Sequence, residues 1–115
     1  MEIRQTTNDD VIIVHLAGEI WGRTGEPEEL RKTVGEIVDN GSKRVVFNLS
    51  GVRLISSIGL GMLIGAYKAI TGAGGAMAVA EPADPIKPVF RVLRGPFEDF
   101  DSEAKAIAYV KDETA

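Results

Sequence analysis

Between Asn48 and Tyr67 the chain runs from an apolar segment, through the adjacent serines Ser56 and Ser57, into an apolar stretch punctuated by Gly59, Gly61 and Gly65. A serine just ahead of a helically periodic run is an N-cap signal, because its hydroxyl accepts from an amide that the first helical turn leaves unpaired. The stretch therefore has to make a strand, a turn and a helix in that order. It also sets a hydroxyl at a turn, near the surface and beside the positive end of a helix dipole. A phosphate there is tolerated by its own helix. It still changes what a partner meets by nearly two negative charges. The pattern points toward a switch more than toward a catalyst.

The flanking sequence repeats the strand–helix theme. Residues 1–7 alternate weakly and stop at Asn8-Asp9-Asp10, a turn signal, and Val11 to Leu16 is short and β-branched, so the two read as a hairpin. Apolar residues on both parities of the second run predict a central strand covered on both faces. Ala17 to Gly22 leads out of it. Pro27 with Glu26, Glu28 and Glu29 suits a first helical turn, Leu30, Val34, Ile37 and Val38 give one apolar face, and Asn40-Gly41 ends the helix. Val45 to Leu49 is the next strand. Residues 57–71 form the glycine-punctuated helix, with Leu60, Leu63, Ile64, Tyr67 and Ile70 facing inward, and Gly72 to Gly75 ends it. Ala76 to Ala80 reads as a buried strand and Pro85 to Leu93 as a helix ended by Gly95-Pro96. Phe97 and Phe100 flank a last short strand, and Ser102 caps a helix from Glu103 to about Lys111 with Ala106, Ile107 and Val110 inward. Strands alternating with helices after residue 17 predict an α/β layer with parallel pairings. Neither a linker nor a repeat is visible, so 1–115 reads as a single domain.

Composition excludes several function classes. Thirteen Lys and Arg against 17 Asp and Glu give a net charge of −4, which argues against direct nucleic-acid binding. With no cysteine, thiol catalysis, disulfides and cysteine-based metal sites lack their residues, and with one histidine neither a metal site nor a histidine-based triad is expected. His15, on an apolar strand, is expected to be structural. The N-terminal residues do not read as a signal peptide. No run approaches the roughly 18 apolar residues needed to cross a bilayer. The expected protein is cytoplasmic, with no membrane insertion, catalytic residue, cofactor or metal.

The remaining candidates each have a plain structural reading. One of Ser56 and Ser57 is accounted for as an N-cap, worth about 1 kcal/mol; the other is not. Gly59, Gly61 and Gly65 each cost up to about 1 kcal/mol in a helix relative to alanine. They fit either close packing of the helix or the approach of another protein, and the two can coexist. They also approximate a dinucleotide fingerprint with Glu81 as its acidic residue, although residues 50–58 separate them from the expected strand and the third glycine is one residue late. Trp21, just past a strand, is structural or an interface anchor. Lys87, Arg91 and Arg94 share a helix face and read as solvated. Glu98, Asp99, Asp101 and Glu103 read as a solubilising cluster.

With these residues in view, the block from Leu49 to Ile70 resembles the STAS domain, the sulphate-transporter and anti-sigma-factor-antagonist family. The resemblance is carried by Asn48-Leu49-Ser50-Gly51-Val52 and by Ser56-Ser57-Ile58-Gly59-Leu60-Gly61. It extends through Gly18-Glu19-Ile20, Gly65-Ala66-Tyr67-Lys68, Gly74-Gly75 and Val89-Phe90, covering roughly residues 3–111. It implies a small α/β domain, one mixed central sheet of about four to five strands with about four helices packed on it. It also implies partner switching. The unmodified domain binds a serine kinase that doubles as an anti-sigma factor, the kinase phosphorylates a serine at the start of the second helix, and a phosphatase resets the system. By position Ser57 matches the phosphoacceptor, with Ser56 as the alternate. The implied partner surface is Trp21, Ser56, Ser57, Ile58, Gly59 and Gly61. The chain has Ser56 where the family usually has Asp, Ile58 where it usually has Ser or Thr, and Trp21 where it often has Asp. A non-phosphorylated scaffold or regulatory subunit of a larger signalling or transporter-linked complex, and a nucleotide-binding module, are the alternatives.

Overall fold

Three crossovers, each a strand, a helix and a parallel strand, set the architecture. The computed structural model describes residues 1–92 and 95–115. Strand β1 (Glu2–Asn8) turns at Asp9 and Asp10 into β2 (Val11–Ile20). Helix α1 (Glu26–Asp39) leads to β3 (Arg44–Ile55), and α2 (Ser57–Gly72) leads to β4 (Ala76–Ala80). A single 3₁₀ turn (Asp84–Ile86) runs into α3 (Lys87–Val92), followed by β5 (Glu98–Phe100) and α4 (Glu103–Glu113). The sheet order is β1-β2-β3-β4-β5; the first pair is antiparallel and the other three are parallel. This is the mixed sheet with four helices that the sequence predicts. The expected helix end at Leu93, and Arg94, lie outside the described residues.

The sheet buries both faces, which is why β2, β3 and β4 are apolar at successive positions. On one face Val14, Leu16, Val45, Phe47 and Leu49 pack with Leu30, Val34 and Ile37 of α1, Leu60, Leu63 and Ile70 of α2, and Phe90 of α3. On the other, α4 lays Ala106 and Val110 over Val11, Ile13, Val46 and the alanines of β4. Small residues there let the helix approach the strands closely. Phe97 packs on Phe90, with ring centres 6.0 Å apart, while Phe100 meets Tyr109 on the opposite face at 5.2 Å.

Two expectations change. Strand β2 continues through Ala17 to Ile20, and β3 continues through Ser50 to Ile55, where a loop was expected. The ladder between them shifts register after His15 and again after Gly18, each time with one extra residue on β3. These bulges break the periodicity by which a strand is recognised. Asn48 manages the first one: its buried side chain accepts from the Ser50 amide at 3.0 Å and donates to Glu103 Oε1 at 2.9 Å. The Glu103 amide in turn donates to Glu81 Oε2 at 3.0 Å. Glu103 thus ties α4 to the sheet and is not part of a merely solubilising cluster. Glu81, the acidic residue of the approximate dinucleotide fingerprint, is committed to the start of α4. His15 makes a side-chain hydrogen bond with Thr6 Oγ1 at 3.0 Å, in keeping with a structural role.

The glycines of α2 divide by environment. A Cβ on Gly59 would lie 2.6 Å from the Ile20 carbonyl oxygen, whereas one on Gly61 or Gly65 would meet nothing within 4 Å. Gly59→Ala is expected to destabilise the fold by about 1–3 kcal/mol through overpacking against backbone. Gly65→Ala is expected to stabilise it by about 0.4–1 kcal/mol. Urea denaturation of the two variants beside wild type checks both signs.

Candidate functional site

The start of α2 is fastened to the end of β2 by backbone and by one serine. The Ser56 amide donates to the Ile20 carbonyl at 3.0 Å, and Ser56 Oγ donates to the Trp21 carbonyl at 2.9 Å. The same Oγ accepts from the Gly59 amide at 3.0 Å, so Ser56 is the N-cap. Gly59 is bare because the Ile20 carbonyl occupies the place of its side chain. Although β3 ends four residues before Gly59, closer than the sequence suggested, this glycine makes room for β2 and not for a ligand.

Ser57 is the first residue of α2 and is exposed, and its hydroxyl has no hydrogen-bond partner among the described residues. The first turn of α2 carries no acidic residue, in contrast to Glu26, Glu28 and Glu29 in α1. The positive end of its dipole is therefore left uncompensated by side chains. Ile58, the next residue, is 63% exposed, unusual for a large aliphatic side chain. Its Cγ2 lies where a Cβ on Gly22 would be, and Gly22 has φ +78°, so glycine is needed there twice over.

The segment from Ile20 to Gly25 forms the second wall. Trp21 is 37% exposed. Its indole N–H donates to Glu19 Oε1 at 2.9 Å, and the Arg23 guanidinium sits 5.3 Å from the ring centre. Glu26, at the start of α1, holds this segment in place by accepting from the amides of Gly22 and Arg23, both at 3.0 Å. Burial pushes the Glu26 carboxyl up. The Arg23 and Gly22 amides and the Met1 ammonium, 3.4 Å away, outweigh that and hold it below its ordinary value.

Of the residues singled out by sequence, Trp21, Ser56, Ser57, Ile58 and Gly59 converge at this end of the sheet. Gly61 lies one turn further along α2, facing a groove between α1 and α2. Arg23 and Glu26 were not anticipated as part of the site. The available signal was a glycine on each side of Arg23, Gly22 and Gly25, both at positive φ. Lys87 and Arg91 are exposed on α3, with Lys87 paired to Asp84 at 3.0 Å. Among the described residues, no group of three or more His, Asp or Glu side chains is placed to hold a metal. No described helix is long and apolar enough to cross a membrane.

Residues 2–100 match the family model described as the STAS domain. The anti-sigma F factor antagonist of Paenibacillus polymyxa is 30% identical over 87 residues, covering 75% of this chain and 73% of that protein. A crystal structure from Thermotoga maritima, provisionally assigned as an anti-sigma factor antagonist, superposes with a TM-score of 0.81 at 24% identity over 95% of this chain and 94% of the other. The phosphorylated form of the Bacillus cell-fate determinant SpoIIAA gives 0.69 at 19% identity over 95% and 99%.

The geometry yields two stability predictions. Ser56→Ala removes the cap and is expected to cost about 1 kcal/mol, while Ser57→Ala stays within about 0.5 kcal/mol of wild type by thermal denaturation. The depressed Glu26 pKa favours the ionised native state. Its contribution is thus present above the unfolded glutamate value of about 4.3 and lost as pH falls through the lower folded value. Glu26→Gln is expected to flatten that acid limb, read as urea midpoint against pH.

Proposed function

The chain belongs to the STAS domain family and is a regulator rather than an enzyme; on that premise we propose that it is an anti-sigma-factor antagonist switched by phosphorylation of Ser57. In the unmodified state it binds a serine kinase that is also the anti-sigma factor, and so frees the sigma factor. Transfer of a phosphoryl group to Ser57 Oγ ends the complex, and a phosphatase restores the hydroxyl. The setting is cytoplasmic, with no direct nucleic-acid contact and no membrane insertion. The similarity to the Paenibacillus polymyxa anti-sigma F factor antagonist supports the partner class.

The observation that carries the choice of residue is the division of labour between the two serines. Ser56 Oγ is committed on both sides, donating to Trp21 and accepting from Gly59, so modifying it would dismantle the cap. Ser57 Oγ is exposed and has no hydrogen-bond partner among the described residues. A phosphate at Ser57 sits at the positive end of α2 and needs no refolding of its own domain. It places nearly two negative charges beside Trp21 and Ile58, the exposed apolar side chains a partner would cover. Desolvating that charge against an apolar contact is what ends the complex.

The replacements of usual family residues shape the surface without removing the acceptor. Ile58 and Trp21 make the surroundings more apolar, and Ser56 supplies the cap. Arg23, held over Trp21, adds a cation beside the position where the family often has an acid. The cognate kinase is therefore expected to present an apolar, acid-bearing surface at this end.

Binding of the purified cognate kinase to wild type, Ser57→Ala and Ser57→Asp tests the proposal by titration calorimetry. Ser57→Ala is expected to bind like wild type and to resist phosphorylation, and Ser57→Asp to bind at least ten-fold more weakly. Equal affinity for Ser57→Asp and wild type would favour a constitutive scaffold, with Ser57 an ordinary first-turn residue.

A further inference from the structure

A groove of about 440 Å³ runs between α1 and α2, walled by Leu30, Arg31 and Gly35 on one side and by Ile58, Gly61 and Gly65 on the other. Glycine disfavours a helix, so each one calls for a reason. For Gly59 the reason is internal, the Ile20 carbonyl. For Gly35, Gly61 and Gly65 it is not, because a Cβ at each would meet nothing within 4 Å. Bare backbone on both walls of an apolar groove lets an outside chain approach more closely than side chains would permit. Building on the switch reading above, we infer that this groove receives an amphipathic helix of the same anti-sigma-factor kinase, with an acidic side chain that meets Arg31.

Three features identify this occupant. The groove is continuous with the switch: Ile58 lines its upper end and is also the residue after Ser57, so whatever covers Ser57 is already at the groove's mouth. The wall positions Ile58, Gly61, Gly65 and Ala69 recur at helical spacing and span about 16 Å at 1.5 Å per residue, the length of about three turns of a docked helix. Arg31 is the charged side chain of the lining and forms no ion pair with another described residue, in a protein whose net charge is −4. An acidic group opposite it completes the contact.

Gly65 lies eight residues, or about 12 Å along the helix, from Ser57, so the groove can be blocked without touching the switch. Gly65→Leu fills it, and Gly72→Leu, outside the lining and equally uncrowded, is the control. Purified cognate kinase is titrated into wild type, Gly65→Leu, Gly72→Leu, Arg31→Glu and Ser57→Asp, with sedimentation velocity of each variant alone. Gly65→Leu and Arg31→Glu are expected to weaken binding at least ten-fold, with Gly72→Leu unchanged and all unphosphorylated variants melting at or above wild type. Wild-type affinity for Gly65→Leu alongside weakened Ser57→Asp overturns the groove and leaves the switch standing. Wild-type affinity for both overturns the switch reading and the groove with it. A wild-type dimer that Gly65→Leu converts to monomer, with kinase binding intact, assigns the groove to a second copy of the chain and overturns the inference.

Discussion

The carbonyl of Ile20 is the point on which the functional end of the molecule depends. It accepts from the Ser56 amide and fills the space above Gly59. Strand β2 and helix α2 therefore touch through backbone, with the Ile20 and Ile55 side chains packed beside the contact. The Ser56 hydroxyl closes the same junction from the other side by donating to Trp21 and capping the helix. Because this contact is made of atoms fixed by secondary structure, the exposed residues around it inherit fixed positions. Trp21 hangs from one side, and Ser57 and Ile58 from the other.

On the switch reading proposed above, this rigidity is what lets so small a domain act on a partner. The rest of α2 is locked into the core by Leu60, Leu63, Ala66 and Ile70, and the far face of the sheet is closed by α4. On that reading a charge added at Ser57 acts on whatever is docked there rather than on the packed core beneath it. On the same reading stability and signalling are separated: Ser56 is committed to the helix cap, and exposed Ser57 is left to the surface. Glu26 plays the corresponding part on the other wall by gathering the amides of Gly22 and Arg23.

The order of strands and helices was legible because each burial face repeats at its own period, as in Leu30, Val34 and Ile37 of α1 or the unbroken apolar run of β4. The pair of serines was legible as a cap plus a residue in excess; local spacing left open which was which, and only the family resemblance pointed to Ser57 as the acceptor. That distinction rests on the Trp21 carbonyl, 35 residues away in sequence. The length of β3 was hidden for a related reason. Two bulges break its alternation, and Asn48, which looked like part of a strand end, instead satisfies an amide inside it. The grouping of Gly59 with Gly61 and Gly65 misled as well: spacing alone cannot tell a glycine pressed against backbone from one facing open space.

The central claim is that Ser57, and not its neighbour, is the hydroxyl that reports to a partner. Incubating the wild-type chain with its cognate kinase and ATP, then locating the phosphate by peptide fragmentation in a mass spectrometer, tests it most directly. The account predicts a single phosphate on Ser57, with Ser56 unmodified and the helix cap intact by amide exchange at Gly59. A phosphate on Ser56, or a stable kinase complex that never transfers one, would contradict it.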